Sequence, residues 1–202
     1  MRIISFPNGT PTPTRQTMEI ITNTKTFTSP ITGAIQTVSR KGARWKSTLV
    51  WENLTGVERG LLQGVITALN GQTNRLQMRD YGAIRQGFAP ASDTPSLYDD
   101  RMGEYVVLKN VTPGIVDYLK AGDYIRFNNE LKMVTQDANS NSAGRVGVYI
   151  APPTRNQTAE NDVVSVFGTF NTTWIMTNQP KWTTNAPNVS SITIEVVEDV
   201  LS

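Results

Sequence analysis

The sequence predicts a mainly β protein: one helix laid on a sheet, followed by a second, small β-barrel-like domain. Three observations carry this. Helical periodicity of convincing length occurs once, between Thr55 and Asn70, and no comparable pattern follows residue 72. Period-two alternation recurs in short runs along the rest of the chain. Finally, only 18% of the 202 residues are charged and 38% are hydrophobic. The remainder is rich in Thr, Asn, Gln and Ser, which suits strands and loops better than helices.

The elements follow in order. Arg2–Phe6 reads as a strand, broken by Pro7-Asn-Gly9 and Pro11-Thr-Pro13. Met18–Phe27 is the next strand, Ser29-Pro-Ile-Thr-Gly33 a turn, and Ala34–Ser39 the returning partner. Arg40-Lys-Gly42 reads as a second turn ahead of a strong strand, Ala43–Glu52. On that strand Trp45, Ser47, Leu49 and Trp51 share one face and Arg44, Lys46, Thr48 and Val50 the other. Thr55-Gly-Val-Glu58 is a capping box, in which threonine and glutamate satisfy each other's backbone amides. Val57, Leu61, Leu62, Val65, Ile66 and Leu69 then form an apolar stripe, closed by Asn70-Gly71. Arg75–Asp80 is the next strand.

Residues 82–103 read as loop and place a domain boundary there. Short strands follow at Tyr105–Lys109, Tyr124–Phe127, Leu131–Thr135, Arg145–Ile150 and Val163–Phe170. Asn128-Asn129 is a tight turn, and Pro152-Pro153 ends a strand. Ser190–Asp199 alternates as a closing strand, and its pattern is compatible with either strand set.

The chain has no cysteine and no histidine. Thiolate chemistry, disulfides, the common catalytic triads and most zinc sites are therefore excluded. Carboxylates remain. Asp99 and Asp100 are adjacent, so in an extended loop they point apart, while Glu195, Glu198 and Asp199 lie near the chain end. Asp137-Ala-Asn139 resembles a fragment of a calcium loop but lacks its glycine and final glutamate. No catalytic, metal or cofactor site is expected. Arg40, Lys41, Arg44 and Lys46 interleave with Trp45, a pattern that can serve single-stranded nucleic acid. Alternation places Trp45 on the face opposite Arg44 and Lys46, which favours a core role for it. No apolar run reaches the roughly 18 residues of a membrane span or forms a leader, so folding in a cytosol is expected.

The net charge of +2 conceals a division. Residues 1–90 carry 11 Lys/Arg against 4 Asp/Glu, and residues 91–202 carry 8 against 13. A basic half could meet an acidic surface on a neighbour, or the division could reflect solvated faces alone.

Two stretches carry a resemblance. One comprises Phe27-Thr-Ser-Pro-Ile-Thr-Gly-Ala-Ile-Gln-Thr-Val38, Gly42-Ala-Arg-Trp45 and Leu54-Thr55; the other comprises Leu119-Lys-Ala-Gly-Asp-Tyr-Ile-Arg-Phe127, Val134-Thr135 and Ile150-Ala-Pro-Pro-Thr-Arg155. Covering about half the chain, they resemble the distal tail, or tail-tip, proteins of long-tailed bacteriophages. The resemblance implies a tail-tube-like β-sandwich with one flanking α-helix, over residues 1–100 and completed by a C-terminal strand at 188–202. It implies a second, inserted β-domain over 101–187. It further implies a homo-oligomer, a hexameric ring at the distal end of the tail tube in the tail tip or baseplate, made in the host cytoplasm and assembled into the virion tail. The partners would be tube, hub and tape-measure proteins, with a host-surface glycan open to the second domain. A hairpin commonly joins subunits in such rings, and here Lys25, Phe27, Ser29, Pro30, Ile31, Gly33, Arg40 and Lys41 are the expected interface. The early Pro-Thr region matches no feature of the family. The alternatives are a carbohydrate- or nucleic-acid-binding β-module, another tail ring such as a tube or tail-completion protein, and a carboxylate-based hydrolase acting on cell wall.

Overall fold

A computed structural model of the chain describes residues 1–185 and 189–199. Its strands are β1 (Ile3–Ser5), β2 (Arg15–Thr28), β3 (Ile35–Leu54), β4 (Arg75–Met78), β5 (Ser96–Leu97), β6 (Tyr105–Lys109), β7 (Tyr124–Phe127), β8 (Glu130–Val134), β9 (Arg145–Ala151), β10 (Thr172–Met176), β11 (Trp182–Asn185) and β12 (Val189–Glu198), with one helix, α1 (Gly56–Leu69), among the described residues. The first sheet is ordered β1-β4-β10-β12-β3-β2, with β11 paired to β12 beside this path. The second is ordered β5-β6-β9-β8-β7 and curls as a half-barrel. The expected class, mainly β with one flanking helix and a second barrel-like unit, is the one observed.

Alternation explains the first core. Trp45, Ser47, Leu49 and Trp51 are all buried, beside Ile192, Ile194 and Val196 of β12 and Trp174 of β10. Leu62, Val65, Ile66 and Leu69 of α1 cover part of this face. Tyr124 and Leu131 of the second sheet cover the Trp45 end, where the Trp45 and Tyr124 rings meet edge to face at 5.9 Å. The Trp45 Nε1–H also donates to the Leu131 carbonyl at 2.9 Å. The second sheet closes its own core around Leu108, Tyr118, Ile125, Phe127, Val148 and Val166.

The helix begins as its capping box requires. Thr55 Oγ1 accepts from the Glu58 amide at 3.4 Å, and Glu58 Oε2 accepts from the Thr55 amide at 2.9 Å. Its end is left-handed at both Asn70 (φ 47°) and Gly71 (φ 64°). Asn128 and Asn129, with φ of 48° and 58°, form the predicted tight turn between β7 and β8. Such turns suit the twist of the strands they join.

Four expectations are corrected or redrawn. Arg40-Lys-Gly42 is no turn, because β3 runs unbroken from Ile35 to Leu54. The register shifts there: Ile21 pairs with Arg44 and Asn23 with Arg40, so Thr22 alone faces residues 41–43. The Gly-containing segment is a bulge, with Gly42 at φ 113°, a conformation glycine adopts without a side-chain clash. Val57 is 77% exposed and does not join the helix stripe, since it sits in the first turn and faces outward. Val163–Phe170 makes isolated bridges at Val163 and Ser165 in place of a strand. Its Val164 and Val166 fill the second core, which the apolar pattern could not distinguish from strand pairing. Finally, β10 and β11 fall within 101–187, the span expected for the inserted domain, yet pair in the first sheet. Residues 188 and 200–202 of the expected closing strand lie outside the described residues, and the described part, β12, pairs with β3 in the first sheet.

Candidate functional site

The outer half of the β2–β3 hairpin is the feature that sets this molecule apart. β12 lines β3 from Leu54 to Lys46. Outside that span β2 and β3 pair only with each other among the described residues, from Asn23↔Arg40 to Thr28↔Ile35. The result is a two-stranded arm whose paired part extends about 20 Å at strand rise. Its described side chains are exposed on both faces, from Asn23 through Thr28 and from Ile35 through Val38. A lone two-stranded ribbon is marginal in water.

The tip is a closed loop. The Ser29 amide donates to the Ala34 carbonyl at 2.8 Å, and the Gly33 amide donates to the Ser29 carbonyl at 2.9 Å, with Gly33 at φ 69°. The pairing Lys25↔Val38 and Phe27↔Gln36 gathers one face, and Thr24, Thr26, Thr28, Thr37 and Ile35 share the other. The first face thus couples the apolar Phe27 and Val38 to the cations Lys25 and Arg40. Ile31 at the tip is 92% exposed, Ile35 70% and Phe27 57%.

Of the residues expected at an interface, Lys25, Phe27, Ser29, Pro30, Ile31, Gly33 and Arg40 therefore lie on this arm. Lys41 falls in the bulge at its base, and its side chain lies outside the described set. Sequence reasoning did not single out Ile35 and Val38, which add apolar surface to the arm. Lying three residues apart, they fall on opposite faces of the strand, so no period-two alternation marked them.

Of the carboxylates weighed in the sequence, Asp99, Asp100 and Asp137 are each engaged by another group. Asp99 is bound to Arg101 at 2.6 Å, and Asp100 accepts from Gln157 at 2.9 Å. Asp137 accepts the Ala121 amide. No group of three or more acidic residues is placed to hold a metal among the described residues. Nor is any helix long and apolar enough to cross a membrane.

A buried ionic quartet fastens the two sheets together. Lys132 Nζ lies 2.5 Å from Glu130 Oε2, and Arg155 Nη1 lies 2.8 Å from Glu198 Oε2. Glu198 Oε1 also accepts the Leu131 amide at 2.8 Å. Burial pulls the Lys132 ammonium below lysine's ordinary pKa, and the Glu130 carboxylate opposes that shift. Glu198 stands in the first sheet, where its Oε2 also accepts the Trp45 amide at 3.4 Å, while Leu131 and Arg155 lie in or beside the second, so the cluster is a structural rivet. Its four charges balance, which limits the cost of their desolvation. Only the fold brings Glu130 and Glu198 together; in sequence they look like ordinary acids.

No protein-family model matches the chain, and no curated protein matches it.

Proposed function

We propose that this chain is a structural component of a bacteriophage virion tail, assembling by subunit–subunit contacts into a ring at the distal end of the tail tube. The observation that carries the reading is the exposed two-stranded arm. It presents backbone edges and apolar side chains that nothing among the described residues covers. Docking on a neighbour would supply the missing cover, and strand-edge pairing tolerates the arm's many threonines because the backbone makes the bonds. An arm on one side and an acceptor elsewhere form a heterologous contact, which closes into a ring when the rotation between subunits divides a full turn. The resemblance of residues 27–55 and 119–155 to tail-tip proteins supplies the place in the virion, and the basic first half and acidic second half suit a polar, head-to-tail contact.

In this reading the chain's work is mechanical, with no catalytic step. The rigid first sheet forms the ring wall, the arm joins subunits, and the second sheet projects from the wall. The tube, hub and tape-measure proteins of the tail are its partners. Size-exclusion chromatography with light scattering on the full chain, followed by electron microscopy of the assembled fraction, tests it. Closed rings, six-fold by the family resemblance, are the expected result. A monomer across the whole accessible concentration range would refute it.

A further inference from the structure

A second site lies at the seam between the sheets, independent of the arm. A pocket of ≈ 130 Å³ opens between the residues after β4 (Arg79, Asp80), the following loop (Ala83, Ile84, Arg85), Tyr124 and Leu131 of the second sheet, and the 168–170 turn before β10. One water needs about 10–15 Å³ on this scale, so the space suits a small molecule or one residue of a polymer.

Its charges are unevenly committed. Asp80 is occupied: Oδ2 accepts from the Tyr124 hydroxyl at 2.9 Å and Oδ1 from the Gly82 amide at 2.8 Å. The two arginines are not. The Arg79 side chain makes one hydrogen bond, Nη1 to Thr169 Oγ1 at 3.4 Å, and lies over the Tyr81 ring. Arg85 makes one, from Nη2 to the Ala89 carbonyl. Neither has a carboxylate partner among the described residues. A guanidinium offers five N–H donors, so each of these two lining residues keeps donors beyond its one side-chain hydrogen bond. Beside them Ile84, 77% exposed, and the half-buried Phe170 supply apolar wall.

We infer that this pocket binds a small ligand, or a group on a larger one, that couples a single phosphate or carboxylate to an apolar body. Arg79 and Arg85 both line this pocket, and guanidiniums bind oxyanions through charge-assisted hydrogen bonds stronger and more directional than neutral ones. Asp80 already accepts two hydrogen bonds, and the net positive charge of Arg79, Arg85 and Asp80 together favours an anion over a cation. Ile84 and Phe170 would cover the body of the ligand. The ring reading is not needed for this inference, and a monomer could bind equally well.

Saturation-transfer difference NMR on the full chain reads weak ligands even in a large assembly. The probes are phenyl phosphate, benzoate and, as the uncharged body alone, phenol. Phenyl phosphate or benzoate should give saturable signals that inorganic phosphate displaces and chloride at equal ionic strength does not. The tighter of the two identifies phosphate or carboxylate as the preferred anion. Phenol should give no saturable signal. Arg79→Gln should weaken binding about tenfold or more, the scale of one charge-assisted bond. Arg85→Lys, which keeps the charge but not the fork, should weaken it too. Lys181→Gln, outside the pocket, should not. Two variants guard against a folding artefact, since the Arg79 side chain meets Thr169 and the Tyr81 ring and Arg85 bonds elsewhere, to Ala89. Equal binding of phenol, or binding unchanged in both arginine variants, overturns the inference.

Discussion

Removing apolar surface from the arm should break assembly while leaving the fold intact. The perturbation is Phe27→Ser, Ile31→Ser and Ile35→Ser together. These side chains are 57%, 92% and 70% exposed in the free chain, so they contribute little to its stability. Fully burying one such side chain yields about 1.5–3 kcal/mol. Scaled by the exposed fractions, the three would contribute about 3–7 kcal/mol to each arm contact. That corresponds to a loss of roughly a hundred- to a hundred-thousand-fold in association for each contact. Light scattering across a dilution series measures it, and thermal unfolding of the monomer supplies the control, expected within about 0.5 kcal/mol of the parent. Val57→Ser, equally exposed but on the helix, should leave assembly unchanged. A triple variant that assembles like the parent would refute the reasoning, as would one whose monomer unfolds several kcal/mol more easily.

Other outcomes follow from the core and its ties. Arg155→Met leaves Glu198 buried with an uncompensated charge and should cost about 3–5 kcal/mol, read as a drop in the urea midpoint. Gly87→Ala would place a Cβ 2.6 Å from Asp123 Oδ2 and 2.7 Å from the Tyr118 carbonyl oxygen. It should lower stability by about 1–3 kcal/mol by crowding the carboxylate that caps the amides of Gln86, Gly87 and Lys120. Thr55→Ala removes the capping box and should cost about 1 kcal/mol, or roughly 2–4 °C in Tm. Stability should also fall in alkali. Burial first, and then the carboxylates Asp93 and Asp80, hold the Tyr118 and Tyr124 phenols above their ordinary value. The folded chain keeps these protons when the unfolded chain releases them, so their contribution is intact below a pH of about 10 and is lost above it. Urea midpoints from neutral pH to pH 11 should decline, and the decline should shrink in Tyr118→Phe/Tyr124→Phe.

The sequence by itself determined the elements whose causes are local. The capping box at Thr55 fixed where α1 starts, Asn70-Gly71 where it ends, and alternation put Trp45 and Trp51 on one buried face. Asn128-Asn129 fixed a hairpin because both residues accept left-handed geometry. Tertiary structure decided whatever depended on partners distant in the chain. Arg40-Lys-Gly42 has the composition of a turn, yet pairing with Asn23 and Ile21 on β2 holds it in a bulge of one long strand. Val163–Phe170 has the composition of a strand, yet it makes isolated bridges to Ser96 and Arg126 in place of a ladder, and its Val164 and Val166 fill a core. The Glu130–Lys132–Arg155–Glu198 quartet and the Arg79–Arg85 pocket join residues far apart in sequence. Their chemistry depends on charge partners and burial, which no local pattern encodes. The arm lies between these cases: its alternation and turn are written in the sequence, but its isolation follows from β12 leaving β3 at Lys46, a boundary set by how the sheet closes.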